Sequence, residues 1–298
     1  MKIDIRPFSA DQHLGKVIEL LSTSLGDVAN QQTFSWKHLE NPFGASPGLL
    51  AFTGDRLVGL RFFMHWRFTN GEQTIHALRP VDTVTHPDAR GNGIFKRLTL
   101  EGLDRFGQNK LVFNTPNSKS LPGYLKMGWQ RYPGSLDYYY SWRTLLGESL
   151  GSRQVFLTPK CPQTLPRRTR GPAVFTTDRT PEFFRWRYSR GSYRFATLGQ
   201  EPTALLVYDL ERKGPFSVLR VVDAGGSPED HGALVRATAR REGAVIVRTV
   251  QGQGGGNRSP PALSLRRGSS LVVTRGNEGL DPLSLKLSFS FGDLQSIL

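Results

Sequence analysis

The sequence predicts an α/β fold, a mixed (α+β-like) sheet flanked by helices, laid down twice along the chain. Three observations predict it. Between residues 10 and 142 the apolar period changes from helical to alternating and back several times. One glycine-rich stretch, HPDARGNGIFKRL at His86–Leu98, stands between a strand pattern and a helix pattern. A weaker copy of the same plan then begins near Pro181. The 298 residues suit two domains of about 150 residues each, and the expected division is 1–150, a linker at 151–172, and 173–298.

Ser9 to Gln12 spells a capping box, and Leu14, Val17, Ile18 and Leu21 follow at helical spacing, so the first helix is expected over about residues 10–22. A second helical stretch, QQTFSWKHL, must stop before Asn41-Pro42, because proline disfavours helix in the residue ahead of it. Strand patterns follow: GLLAFTG, a Gly54-Asp55 turn, RLVGLRFFMHWRFT, an Asn70-Gly71 hairpin signal, and EQTIHALRPVDTVT. The glycine stretch leads into a helix at about 93–106, a strand KLVFNT, a short helix near 119–127, and one last aromatic strand from Gln130 to Trp142. The segment 151–172 is rich in proline and reads as a linker.

Beyond it, PEFFRWRYS parallels QTFSWKHLE. Phe34, Trp36 and Lys37 in one match Phe184, Trp186 and Arg187 in the other, and both lead into paired strands. FSVLRVVDAGG, the helix pattern SPEDHGALVRATARREG and the strand AVIVRTV continue the parallel. The glycine loop is not repeated. Its counterpart reads AGGSPEDHG.

The net charge of +14 is unevenly placed. Residues 1–150 hold 17 basic against 13 acidic side chains, and residues 151–298 hold 22 against 12. The surplus in the second half includes Arg167, Arg168 and Arg170. Such a surplus fits an anionic partner or simply an arginine-rich surface, and no interleaved aromatics mark a single-strand nucleic-acid site. The lone Cys161 excludes an internal disulfide and a cysteine-cluster zinc site. Neither a signal peptide nor a run of roughly 18 apolar residues is present, so a cytoplasmic, membrane-free setting is expected.

Unpaired N–H groups and the dipole at a helix start attract anions, and glycine lets a phosphate come close. Arg90-Gly91-Asn92-Gly93 sits where that physics operates. A P-loop would need GxxxxGK[ST], which is absent. A dinucleotide loop would need a third glycine where Lys96 stands.

A third pattern fits. Arg90, Gly93 and Phe95 after Thr85-His86-Pro87, together with Asn117, Tyr124 and Gly128-Trp129 downstream, resemble the two acyl-CoA boxes of the GNAT (GCN5-related N-acetyltransferase) superfamily. Phe95 departs from the pattern, which has a small residue there. The whole chain resembles a tandem-GNAT protein whose C-terminal copy is degenerate. The resemblance implies an acyl-CoA co-substrate, acetyl-CoA in the simplest case, and no metal. It implies that Thr83, Val84 and Thr85 pair with the pantetheine arm where two strands splay, and that Arg90, Gly91, Asn92, Gly93, Ile94, Phe95 and Lys96 wrap the pyrophosphate, with Asn117 nearby. It makes Tyr124 the general acid. A tyrosine, with a reference pKa near 10, can protonate a departing thiolate, whereas the plainer alternative is a core tyrosine.

Asp82, His86 and Glu40 are candidates for the base, with Asp82 preferred. Trp36, Glu40, Asn41 and Phe43, at the exit of the second helix, are candidates for acceptor recognition, against the plainer reading of core packing and chain reversal. The expected activity is transfer of an acyl group from acyl-CoA to a small-molecule or peptide amine, an anionic one if the basic half takes part. The alternatives are a non-catalytic CoA-binding or nucleic-acid-associated module, and a tandem-GNAT aminoacyl or long-chain acyl transferase.

Overall fold

The structure, a computed structural model, describes residues 2–26, 29–133, 136–142, 154–162, 165–166, 173–252, 265–270, 272–276 and 280–294. Arg167, Arg168 and Arg170 lie outside them.

The first half runs β1 (Asp4–Pro7), α1 (Ala10–Leu25), α2 (Gln31–Phe34) continued by a π-helical turn (Ser35–Leu39), β2 (Gly48–Thr53), β3 (Arg56–Thr69), β4 (Thr74–Thr85), α3 (Ile94–Phe106), β5 (Leu111–Asn114), α4 (Leu121–Lys126), β6 (Gln130–Arg131) and β7 (Leu136–Trp142). The second runs β8 (Val155–Thr158), β9 (Phe175–Thr177), α5 (Pro181–Tyr188), β10 (Arg194–Leu198), β11 (Ala204–Lys213), β12 (Phe216–Gly226), α6 (Pro228–Arg241), β13 (Ile246–Gly252), β14 (Leu265–Ser270), β15 (Val273–Arg275), β16 (Leu287–Ser288) and α7 (Phe291–Leu294).

Helix α1 forms on its apolar stripe, with Val17, Leu20 and Leu21 buried against Leu50, Phe52 and Phe62. The expected capping box is not made. Ser9 offers no side-chain cap, and its N–H instead donates to His13 Nδ1 at 3.0 Å, a side chain one residue beyond Gln12. Helix α3 packs closely on β3: a Cβ at Gly102 would stand 2.2 Å from Phe63 Cζ.

Two mixed sheets result. One has the order β1-β2-β3-β4-β5-β15-β6, with β9 and β16 attached through β3. The other has β8-β10-β11-β12-β13-β7-β14. Along these two paths the orders correspond strand for strand, and each path takes one strand from the opposite half of the chain, while β9 and β16, also from the second half, join the first sheet off its path. β7 pairs with β13 and β14, while β15 lies between β5 and β6.

The expected single strand from Gln130 to Trp142 is thus two strands in different sheets. The segment expected to be a linker also contributes β8, which pairs along β10 from Phe195↔Thr158 to Leu198↔Val155. The largest core cluster is shared in the same way: Trp36, Trp66, Phe68 and Phe113 pack with Phe183, Trp186, Leu287 and Phe289. No helix among the described residues is long and apolar enough to cross a membrane.

Candidate active site

The glycine stretch forms the turn from β4 into α3. A 3-10 turn at Pro87–Ala89 follows the strand, and Gly91 and Gly93 take φ of 80° and 71°. That left-handed backbone is costly for residues bearing a Cβ. Asn92 tightens the loop from within, its Nδ2 donating to the Ala89 and Arg90 carbonyls at 3.2 Å each.

The outer side of the loop is open. A Cβ built at Gly91 or Gly93 would meet nothing within 4 Å. Helix α3 has neither a side-chain cap nor an acidic residue in its first turn, and Arg90 and Lys96 are exposed beside it. These residues therefore fit a bound pyrophosphate: free N–H groups, a positive dipole end, two cations and room.

The corresponding helix of the second half is built differently. Ser227 caps α6 by accepting from the Asp230 N–H, and the sequence places Glu229 and Asp230 in its first turn. The preceding glycines face protein: a Cβ at Gly225 would lie 3.2 Å from the Pro166 carbonyl, and one at Gly226 would lie 2.3 Å from that of Thr203.

Strand β4 pairs with β5 only at Ala77↔Leu111 and Leu78↔Val112. Towards its end, Val84 and Thr85 pair with Leu60 and Gly59 of β3. The chain from Thr83 to Thr85 is therefore free of β5, in the splay the family resemblance implies. Opposite Arg61 the register slips, so Asp82 and Thr83 form a bulge, and Asp82 takes a positive φ of 44°.

Asp82 accepts from Lys37 Nζ at 2.6 Å and lies 2.7 Å from His38 Nε2. Burial opposes its ionisation, but the Lys37 ammonium and the His38 ring outweigh that and hold the carboxyl well below the usual range. A carboxylate so held is a poor proton acceptor, and this argues against the expectation that Asp82 is the base. His38 itself is fully buried. Burial lowers its pKa against the raising effect of Asp82, so the ring is neutral, with Nε2–H on the carboxylate and Nδ1 lacking a hydrogen-bond partner. His86, the next of the base candidates, sits 3.0 Å from Arg56 Nη2 and 3.4 Å from Asp88, in a surface cluster.

Tyr124, on α4, is 4% exposed. Its hydroxyl oxygen accepts from Arg61 Nη2 at 2.7 Å and from Asn114 Nδ2 at 2.5 Å. With both lone pairs so engaged, the phenolic proton is left for a third group. The ring packs edge-to-face on Trp129 at 4.9 Å and on Phe95 at 5.7 Å. Phe95 is half-buried, its ring against Tyr124 and under the Arg61 guanidinium, and Ile94 beside it is in the core.

Asn117 does not reach this group. It is exposed and its Oδ1 accepts from the Ser120 N–H at 2.9 Å, a turn before α4. The asparagine that touches Tyr124 is Asn114, three residues earlier. Neither Asn114 nor Arg61 carries a sequence signal beyond its place at a strand end or on an apolar strand.

The residues at the exit of the second helix divide in two. Asn41 donates to the His65 carbonyl and accepts from the Phe43 N–H, both at 2.9 Å. Phe43 stacks on Phe183 at 4.7 Å and carries Arg67 over its face at 4.6 Å. Both are committed to turn geometry and packing rather than to an open site.

Trp36 and Glu40, with Gln32 and Thr33, line an open cleft of about 580 Å³ whose other wall is Ser189, Arg190 and Gly191. Among the described residues no group of three or more His, Cys, Asp or Glu could hold a metal ion.

Residues 4–132 match the family model of the acetyltransferase (GNAT) domain. Among solved structures, a GCN5-related N-acetyltransferase from Anabaena variabilis aligns over 92% of this chain and 72% of its own, with a TM-score of 0.69 and 14% identity. A probable N-acyltransferase from Enterococcus faecalis aligns over 92% and 73%, with a TM-score of 0.71 and 10% identity. A tandem GNAT protein from the clavulanic acid biosynthesis pathway aligns over 92% and 98%, with a TM-score of 0.52 and 12% identity. At such identities the likeness is one of fold. No curated protein matches the chain by sequence.

Proposed function

Since residues 4–132 of this chain form a domain of the GNAT family, which transfers acyl groups from acyl-CoA, we propose that the protein acetylates a primary amine by direct attack on acetyl-CoA, with Tyr124 as the acid. The observation that carries this reading is the Tyr124 hydroxyl, whose oxygen is engaged by Arg61 and Asn114 and whose proton is left free. It stands beside a splayed strand and an open helix start.

The co-substrate supplies an activated acyl carbon. The Gly91–Gly93 turn and the α3 N–H groups hold its pyrophosphate, and the unpaired edge at Thr83–Thr85 aligns the pantetheine arm. Holding both partners in register contributes most of what a direct transfer needs. The amine nitrogen attacks the thioester carbonyl and the C–S bond breaks. The thiolate takes the Tyr124 proton, the proton lost by the amine passes to water, and the tyrosine is reprotonated from solvent.

Asp82 keeps its charge through this cycle, fixing Lys37 and His38 at the bulge. For the acceptor we propose the cleft between Trp36–Glu40 and Ser189–Gly191, where the basic second half favours an amine that also carries negative charge.

The test is thiol release from acetyl-CoA with a panel of primary amines. General acid catalysis contributes about 10²–10⁴-fold, so Tyr124→Phe should lower kcat by that order while acetyl-CoA still raises the melting temperature. Unchanged thiol release in Tyr124→Phe would remove the assigned acid. A thermal shift without turnover on any amine would favour a CoA-binding module, and salt-sensitive DNA binding without a thermal shift a nucleic-acid-associated one.

A further inference from the structure

Arg61 is a buried cation that the fold does not neutralise. It lies on β3 with no exposed surface. Nη2 donates to the Tyr124 oxygen at 2.7 Å, while Nε and Nη1 have no hydrogen-bond partner. Among the described residues no carboxylate is paired with it. Three rings surround the guanidinium instead, with centroids 5.0 Å (Phe95), 5.5 Å (Tyr124) and 5.6 Å (Phe63) from Cζ.

A guanidinium does not lose its proton in a protein, so burial without a counter-ion is costly, and cation–π contacts recover only part of the cost. That cost falls if a neighbour becomes an anion. Tyr124 becomes one at a single point in the proposed reaction, when its proton has gone to the departing sulfur. The phenolate then lies 2.7 Å from Nη2, in surroundings that screen charge weakly.

We propose that Arg61 is a positioning residue for Tyr124, aiming the phenol and stabilising the phenolate left when it protonates the leaving thiolate; this rests on the reading of Tyr124 as the acid. The interaction is stronger after proton transfer than before, which is the condition for it to accelerate the step rather than tighten binding. It also accounts for Phe95. The aromatic ring that departs from the family pattern covers the guanidinium and braces the tyrosine, keeping water from screening the pair.

The experiment measures thiol release from acetyl-CoA with hydroxylamine, a nucleophile unprotonated at neutral pH, so that no base limits the rate. Arg61→Met and Arg61→Gln should each lower kcat at least about tenfold, with KM for acetyl-CoA changed less than about twofold, and Arg61→Lys should recover most of the loss. In a Tyr124→Phe background, Arg61→Gln should cause no further loss, because the group it acts through is gone.

An equal loss in both backgrounds would overturn the proposal, as would a rise in KM at constant kcat. Tyr124→Phe alone reports on the acid reading, so failure there is distinct from failure of the cycle. Should Arg61→Met not fold, Arg61→Gln, which keeps a donor but no charge, carries the comparison.

Discussion

Trp36 and Trp186 hydrogen-bond each other reciprocally. Trp36 Nε1 donates to the Trp186 carbonyl at 2.9 Å, and Trp186 Nε1 donates to the Trp36 carbonyl at 2.7 Å. Their rings stack at 5.4 Å. These are the equivalent tryptophans of the repeated Phe-x-Trp-basic motif, so the residues that mark the repeat in the sequence also join its two copies. The contact is self-complementary in the way a two-fold interface is, and the exchange of β7 for β15 extends that relation to the sheets.

Replacing Trp36 with Phe should therefore destabilise the whole chain. The ring stack survives in part, but the buried Trp186 carbonyl loses one of its two donors, Ser189 Oγ remaining at 2.9 Å, at a cost of about 0.5–1.5 kcal/mol. Trp186→Ala removes the stack as well and should cost about 3–5 kcal/mol. Chemical denaturation of the variants measures both, and a Trp36→Phe protein as stable as the parent would contradict the interface role.

The Asp82–Lys37 ion pair makes an acid-side prediction. Its carboxyl is held well below the usual range, so the stability it contributes is present above the unfolded pKa of about 4 and is lost as pH falls through the lower folded value. Asp82→Asn leaves Lys37, whose side chain is 6% exposed, without its partner and should cost about 3–5 kcal/mol near neutrality. The variant should also show a flatter loss of stability between about pH 4 and 2. Parallel acid limbs for parent and variant would assign the pH dependence to other groups.

Much of this site is legible in the sequence, and what is not has a physical reason. The glycines, the strand before them and the helix after them are local features, and the chain places them as their chemistry predicts. Tyr124 is singled out by its spacing to Asn117 and Gly128. Arg61 and Asn114 are brought to it by pairing across 63 and 10 residues, which no local pattern encodes. The family spacing places Asn117 near the cofactor, whereas in the structure its Oδ1 accepts from the Ser120 N–H ahead of α4, because an asparagine near a helix start is equally suited to local capping. Nothing in a continuous aromatic run says that Gln130–Arg131 and Leu136–Trp142 serve different sheets, since edge and exchanged strands carry the same alternation.

Gly93 offers a test of the anion cradle that is separable from stability. Gly93→Asp puts a negative side chain where nothing lies within 4 Å, at a backbone conformation that aspartate tolerates better than most residues. The melting temperature without ligand should change by only a few degrees, corresponding to about 1 kcal/mol. Acetyl-CoA affinity should fall by at least about tenfold, because the added charge would repel a pyrophosphate held at the proposed cradle. Calorimetry at two salt concentrations checks it, and undiminished affinity would place the pyrophosphate elsewhere.

The exchanged strands predict how the chain can be cut. A fragment of residues 1–150 keeps the glycine loop, Tyr124 and Arg61 but lacks β15, which pairs with β5 at Val112–Asn114 and with β6 at Gln130–Arg131. Its β7 has lost β13 and β14. The aromatic cluster of Trp66, Phe68 and Phe113 loses Phe183, Trp186 and Phe289, opening a large apolar surface next to unpaired strand edges. The fragment alone should aggregate or remain without fixed tertiary structure, as read by near-ultraviolet circular dichroism. Mixed with a fragment of residues 151–298, it should regain the parent spectrum and an acetyl-CoA thermal shift, because each piece then supplies the strand the other lacks. A soluble, cooperatively melting 1–150 fragment that binds acetyl-CoA would show instead that the first half folds without the exchange.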